Sequence, residues 1–206
     1  MSERYRTVAG RGQAAFEIRG SEFLGHVAPA EDVAAAEAFL DAVRAEYDDA
    51  THNVPAYRVR GAPLREYASD AGEPTGSAGK PALNVLQGEG LENVAAVVTR
   101  YYGGTELGVG GLARAYGRAV KEAVADAGTA ERRPRERFTV VVDYDDSGTV
   151  RGVLESADAE FEAAYEERVT FDVQAPEDSA AALRDRLRSA TSGRAELDRA
   201  GRPERN

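Results

Sequence analysis

Apolar positions recur along this chain with two different periods. Val33, Ala36, Leu40, Val43 and Tyr47 fall at helical spacing behind Asp32, which predicts a helix over 32–47 with Asp32 as its N-cap. Residues 13–18 and 22–28 read instead as a strand pair around Gly20-Ser21. A weaker alternation predicts a strand over 52–59, followed by a long loop over 60–80. Pro81 then stands where a first helical residue belongs, opening a short helix through Leu83, Leu86 and Gln87. The uninterrupted apolar run VAAVVTRY at 94–101 predicts a buried strand. A Gly-rich turn at 103–111 leads from it into a helix over 112–127.

A charged, proline-containing joint at 131–136 separates this unit from a second one. There the pattern predicts a strand at 138–143 and a helix presenting Val150, Val153, Leu154 and Ala157. A hairpin of 159–165 with 168–174 follows, then a helix presenting Ala180, Leu183, Leu187 and Ala190, and a short strand at 194–197. The order β-α-β-β-α-β is the split unit of ferredoxin-like domains. The expected organisation is α+β: one domain over 1–132, a ferredoxin-like domain over 133–200 and a tail over 201–206, with fraying expected from Asp198 onward.

Composition narrows the chemistry. The chain has no cysteine, which removes disulfides, thiolate metal sites and thiol nucleophiles, and only His26 and His52 supply imidazoles. No apolar run approaches the ~18 residues that span a bilayer and no signal-peptide pattern opens the chain, so a soluble, cytoplasmic protein without a membrane partner is expected. Thirty-six acids face 26 bases, a net charge of −10, and only Lys80 and Lys121 among the bases are lysine. Such a surface suits a halophilic cytosol, where carboxylates hold water and salt screens their repulsion. The imbalance is uneven: residues 51–121 carry six acids and eight bases, and hold most of the glycine.

Within that window two segments stand out, SDAGEPTGSAGKP at 69–81 and TRYYGGTELGVGGLARAYG at 99–117. Each sets a Gly-rich loop before a helix N-terminus, where unpaired N–H groups and the helix dipole favour an anion. Lys80, Arg100, Arg114 and Arg118 are the cations within reach, with Tyr101, Tyr102 and Tyr116 as stacking faces and Gly103, Gly104, Gly110 and Gly111 as the loop backbone. Each has a plainer reading. The glycines serve turns and close packing equally well. Arg100, at the end of a buried strand, suits an ion pair with Asp70 or Glu73 as well as a phosphate. Tyr101 and Tyr102 point to opposite faces, so one belongs to the core. His26 reads as a structural residue among apolar neighbours. His52, Asp70 and Glu73 form a polar set open to acid–base chemistry, although two loop carboxylates more commonly cap turns than hold metal. The Walker A spacing fails at Gly79-Lys80, because Pro74 replaces the first Gly and Pro81 the hydroxyl residue. Gly108-x-Gly110-x-x-Ala113 matches a loose dinucleotide fingerprint, but the next strand ends too far along the chain for an acidic partner. No serine sits in a nucleophile elbow.

The strings S-D-x-G-E-P-x-G-x-A-G-x-P at 69–81 and V-x-R-Y-[FY]-G-G-x-x-L-G-x-G-G-L-x-x-A-Y at 98–116, with Thr51-His52 upstream, resemble the signature of the IMPACT/YigZ family. That resemblance implies an N-terminal domain of the ribosomal-protein-S5 second-domain type and a ferredoxin-like domain similar to domain V of elongation factors. It implies a link to translation: eukaryotic members regulate initiation during amino-acid starvation, and RNA or ribosome binding is inferred for prokaryotic ones. Val54 stands where relatives often carry cysteine, so no thiol role carries over, and Ala71 stands where many carry a second Asp beside Asp70, which weakens a carboxylate-pair metal site. The resulting expectation is a noncatalytic regulator without cofactor or metal, meeting RNA or the ribosome through its Gly-rich loops. The alternatives are a module that docks on a translation-associated protein and an enzyme acting on a small anionic metabolite.

Overall fold

The structure is a computed structural model that describes residues 4–199. Two compact units divide between Arg132 and Arg133. The first contains β1 (Tyr5–Val8), β2 (Gly12–Ile18), β3 (Ser21–Pro29), α1 (Val33–Glu46), β4 (His52–Val59), β5 (Arg65–Ala68), α2 (Gly79–Gly88), β6 (Val94–Tyr101), α3 (Gly108–Ala127) and β7 (Thr129–Arg132).

Strands β2-β3-β6-β4-β5 form a five-stranded sheet in which every neighbouring pair is antiparallel. The apolar run of β6 occupies its centre and is buried on both sides. Val94, Ala96 and Val98 join Phe23, Val27, Val54 and Ala56 under α2 and α3. Ala95 and Val97 join Tyr57 and Val59 under α1. Helices on both faces explain why this strand lacks the polar alternation usual in antiparallel sheets. Helix α3 lies so close to β3 that a Cβ at Gly25 would collide with the Ala119 carbonyl, which is why glycine interrupts that strand.

The expected strands and helices of this unit form, with four differences. The expected loop over 60–80 contains β5, whose sequence REYA has no apolar alternation and which is a strand because β4 pairs with it, Tyr57 opposite Tyr67. Helix α2 begins two residues before Pro81, and α3 four residues before Leu112. The fourth is the antiparallel pair β1–β7, Tyr5 opposite Arg132 and Val8 opposite Thr129. Asp32 caps α1 as expected, accepting the Ala35 N–H at 2.7 Å. His26 is buried beside Tyr47, ring centroids 5.0 Å apart, and burial lowers its pKa.

The second unit comprises β8 (Arg135–Val142), α4 (Tyr144–Glu155), β9 (Glu160–Tyr165), β10 (Val169–Pro176), α5 (Glu177–Ala190) and β11 (Glu196–Arg199). Its antiparallel sheet has the order β11-β8-β10-β9, the ferredoxin-like arrangement. One face, led by Phe138, Val140, Phe171 and Val173, packs on Val150, Leu154, Leu183 and Leu187 of the two helices. The architecture of the chain is thus α+β in two units. The last strand lies later than expected: Asp198 pairs with Thr139 in β11, while Arg194 precedes it and grips Asp146 with two bonds of 2.7 and 2.8 Å. The expected tail, 201–206, lies outside the described residues. No helix among the described residues is long and apolar enough to cross a membrane.

Candidate functional site

Strand β6 delivers Arg100 and Tyr101 to the end of the sheet, with His52 of β4 and Phe23 of β3 as the cross-strand neighbours of Arg100. The loop over 69–78 closes against this end, and its shape depends on Asp70. One Asp70 oxygen accepts the Gly76 N–H at 2.7 Å, and the other accepts those of Ala78 at 3.0 Å and Gly79 at 2.9 Å. Asp70 therefore caps α2 from nine residues upstream, satisfying the Ala78 and Gly79 N–H groups at its start. Positive φ angles at Ala71 and Gly72 complete the reversal that turns Glu73 inward.

Glu73 is the hub of the buried end of the site, with a side chain only 3% exposed. Its Oε1 accepts from Arg100 Nη1 at 2.6 Å and from the Tyr116 hydroxyl at 2.7 Å, and lies 3.9 Å from His52 Nε2. Arg100 Nη2 donates to Ser21 Oγ at 3.2 Å, and its Nε is buried with no acceptor. Burial, the bond to Glu73 and the charge of Glu73 push the Tyr116 phenol far above its ordinary pKa, so it stays a proton donor. The His52 ring is oriented by a 2.9 Å contact between Nδ1 and the Ala71 carbonyl, which requires the proton on Nδ1.

Two expected surface contacts are thereby corrected. Arg100, 4% exposed, is a structural ion-pair partner of Glu73 and is not placed to meet a phosphate. Tyr116 is fully buried against Phe23 and offers no stacking face. The helical stripe Leu112, Tyr116, Val120, Val124 was the available signal for its burial. The polar set also divides: Asp70 folds the loop, Glu73 neutralises Arg100, and His52 fastens to the loop backbone. No group of three or more histidines and acids among the described residues is arranged to hold a metal ion.

Other expected residues lie at the surface. Tyr101 is half-buried and donates to Asp49 at 2.7 Å, a bond that, with burial and nearby acids, leaves its pKa pushed up to about 12. Tyr102 is 47% exposed. Its N–H donates to Thr51 Oγ1 at 2.9 Å, and the Gly103 N–H donates to Ser21 Oγ at 3.1 Å. Ser21 and Thr51 are the positioning residues that sequence reasoning missed; only the Thr51-His52 motif hinted at one of them. Gly104 has φ +84° and open space around it. Helix α3 starts behind Leu107 with no side-chain cap and no acid in its first turn, and Gly108, Val109 and Gly110 are exposed. Arg114 is exposed one turn on, its Nη1 3.5 Å from the Cβ position of Gly110. Gly111 packs against Leu107. Lys80 is exposed at the second residue of α2. Neither Lys80 nor Arg114 makes an ion pair among the described residues, whereas Arg118 pairs with Glu122 at 2.7 Å and covers the Phe16 ring.

The Asp70 cap has a measurable consequence. Burial raises its carboxyl pKa, but the N–H groups of Gly76, Gly79 and Ala78 outweigh that and leave it below the ordinary 3.8. A carboxyl depressed on folding contributes stability above its unfolded pKa and loses it as pH falls through the folded value. Asp70→Asn is expected to lower stability by roughly 1–2 kcal/mol at neutral pH, since the amide NH₂ cannot accept a backbone N–H. The deficit should shrink below the ordinary 3.8. Urea midpoints at neutral and acid pH measure it, and an equal deficit at both would contradict the cap.

Known proteins match most of the chain. The Impact N-terminal domain family matches residues 19–124, and a domain of unknown function, DUF1949, matches 140–194. The chain is similar to the IMPACT family member YvyE of Bacillus subtilis, 34% identical over 198 residues, covering 96% of this chain and 91% of that protein. It is 41% identical over 145 residues to the IMPACT family member YigZ of Escherichia coli, covering 69% of this chain and 71% of that protein. A crystal structure described only as that of a hypothetical protein superposes with a TM-score of 0.71 at 34% identity, over 98% of this chain and 100% of the other.

Proposed function

Because this chain belongs to the IMPACT family, we propose that it is a noncatalytic, translation-linked cytoplasmic protein that binds RNA or the ribosome through the loop opening α3. The observation that carries this reading is the exposed, uncapped start of α3 beside Arg114. Its free N–H groups and dipole suit a phosphate, and Glu106 is the sole carboxylate of the loop. The Pro81 carbonyl lies 4.0 Å from the Cβ position of Gly117, which sets the start of α2 against α3, and Lys80 is exposed at that start. The loop also belongs to the stretch 51–121, which carries net positive charge in a chain of net −10. The phosphate contacts fall to Lys80 and Arg114 because Arg100 and Arg118 are engaged elsewhere.

In a halophilic cytosol at ~1 M salt the Debye length is ~3 Å, and counterion release drives little association. Backbone donors and stacking would then carry more of the affinity than charge, which suits a glycine loop. Ultraviolet crosslinking in cells, followed by sequencing of attached RNA, tests the reading. The Lys80→Ala/Arg114→Ala variant should recover roughly tenfold less specific ribosomal or transfer RNA than the wild type. Equal recovery from the folded variant would overturn the site. A second reading, docking on a translation-associated protein, is favoured by the exposed acids Glu37, Asp41, Glu46, Asp48 and Asp49 on and after α1. Crosslinking to protein alone, unaffected by the double substitution, is its expected signature.

A further inference from the structure

We propose that Tyr102 is a preset platform on which an unpaired RNA base stacks, an inference that rests on the RNA-binding reading and names how the RNA is held. An exposed tyrosine on a glycine loop ordinarily moves freely and loses that freedom on binding, which costs affinity. Tyr102 is restrained before any ligand arrives. Behind its ring lies the Arg100 guanidinium, 5.4 Å from the ring centroid. The guanidinium is itself fixed by Glu73, by Ser21 and by the Phe23 ring at 5.4 Å on another side. The backbone is pinned on both sides of the ring: Thr51 holds the Tyr102 N–H, and Ser21 holds the Gly103 N–H. Ser21 thus ties the platform and its cationic support through one oxygen.

This arrangement leaves Tyr102 47% exposed with a buried cation beside its ring. A base stacked on the open side would complete a base–tyrosine–guanidinium sandwich, with the ring already in its bound position. The glycines that follow, Gly103 and Gly104, add no side chain beside the ring, and the uncapped start of α3 lies six residues on, at Gly108, to receive a phosphate of the same strand. Tyr101 is excluded from this role by its bond to Asp49, and Tyr116 by its burial. Stacking reads no base edge, and bases in a duplex are already stacked on one another. The ligand is therefore single-stranded RNA, with little preference among sequences.

The chain has no tryptophan, so Tyr102→Trp installs its only indole. Titrating that full-length variant with a short single-stranded RNA should quench the indole emission, while the same sequence as a duplex leaves it unchanged. Tyr102→Ala should weaken single-strand binding roughly tenfold, and Tyr102→Phe should retain it. Weakened binding in Tyr102→Ala without quenching in Tyr102→Trp would mean that the ring only shields Arg100, and would overturn the proposal. Wild-type affinity in Tyr102→Ala, with binding lost in Lys80→Ala/Arg114→Ala, would remove the platform and leave the RNA-binding reading standing. Wild-type affinity in both variants would remove the platform and the loop as the RNA site, and no binding by the unsubstituted chain would remove the platform and the RNA-binding reading together.

Discussion

Glu73→Ala is expected to cost about 3–5 kcal/mol of unfolding free energy, because it strands a buried guanidinium. Arg100 would keep only the Ser21 hydroxyl as an acceptor, and the Tyr116 hydroxyl would lose the carboxylate it donates to. Neither group has water to fall back on, since Arg100 is 4% exposed and Tyr116 fully buried. Glu73→Gln keeps an acceptor oxygen and removes the charge, so its loss should be smaller than that of alanine. The informative control is the double variant Glu73→Leu/Arg100→Met. If the single variant suffers from an uncompensated charge, apolar replacement of both partners should recover most of the stability. Urea denaturation midpoints measure all three. A Glu73→Ala midpoint close to wild type would show that this pair is not what holds the loop to the sheet.

Gly103→Ala ranks beside it. A Cβ there would run into the carbonyl group of Gly20 in the turn between β2 and β3, backbone against backbone. No side chain can rotate away to relieve the overlap. Either the hairpin turn or the end of β6 must move, and in both cases the bond from Gly103 N–H to Ser21 is broken. A loss of about 3 kcal/mol, at the upper end for overpacking, is expected, accompanied by loss of RNA binding. The neighbouring Gly104→Ala is the internal comparison. Its Cβ meets nothing within 4 Å, but its φ of +84° is unfavourable for alanine. That substitution should cost about 1–2 kcal/mol from backbone strain alone. Thermal denaturation of the two variants should therefore separate them clearly, and equal midpoints would contradict the packing of Gly103 on Gly20.

What was legible in the sequence follows the range of the forces involved. Helix α1 announced itself through its apolar spacing and Asp32, and both signals lie within a few residues of what they determine. The ferredoxin-like order was legible because each of its elements carries its own period. Strand β5 was not, because REYA becomes a strand only when β4 supplies its ladder. The start of α2 escaped for a similar reason: Pro81 marks a first helical residue, but the Asp70 carboxylate, nine residues before Gly79, starts the helix two residues earlier. At the site, the residue types in the two Gly-rich segments marked two stretches that meet around Glu73. Whether Arg100 served a phosphate or a carboxylate was a matter of which strand neighbours enclosed it, and only the sheet decides that. The exposure of Lys80, Tyr102 and Arg114 emerged by subtraction, once Arg100, Tyr116 and Arg118 had found partners inside the fold.

The pairing of β1 with β7 has a consequence of a different kind. It brings the entry and the exit of the first unit side by side, with Tyr5 facing Arg132, so that the polypeptide enters and leaves at one place. Strands so paired stand about 5 Å apart. A piece of protein with adjoining ends is portable: it can be spliced into a surface loop of another protein without prising that host apart. It can equally be cut open elsewhere and rejoined at its natural ends. For evolution and for the engineer alike, the 128 residues from Tyr5 to Arg132 have the end geometry of a cassette, one that would carry its glycine loop into new surroundings together with the sheet that supports it.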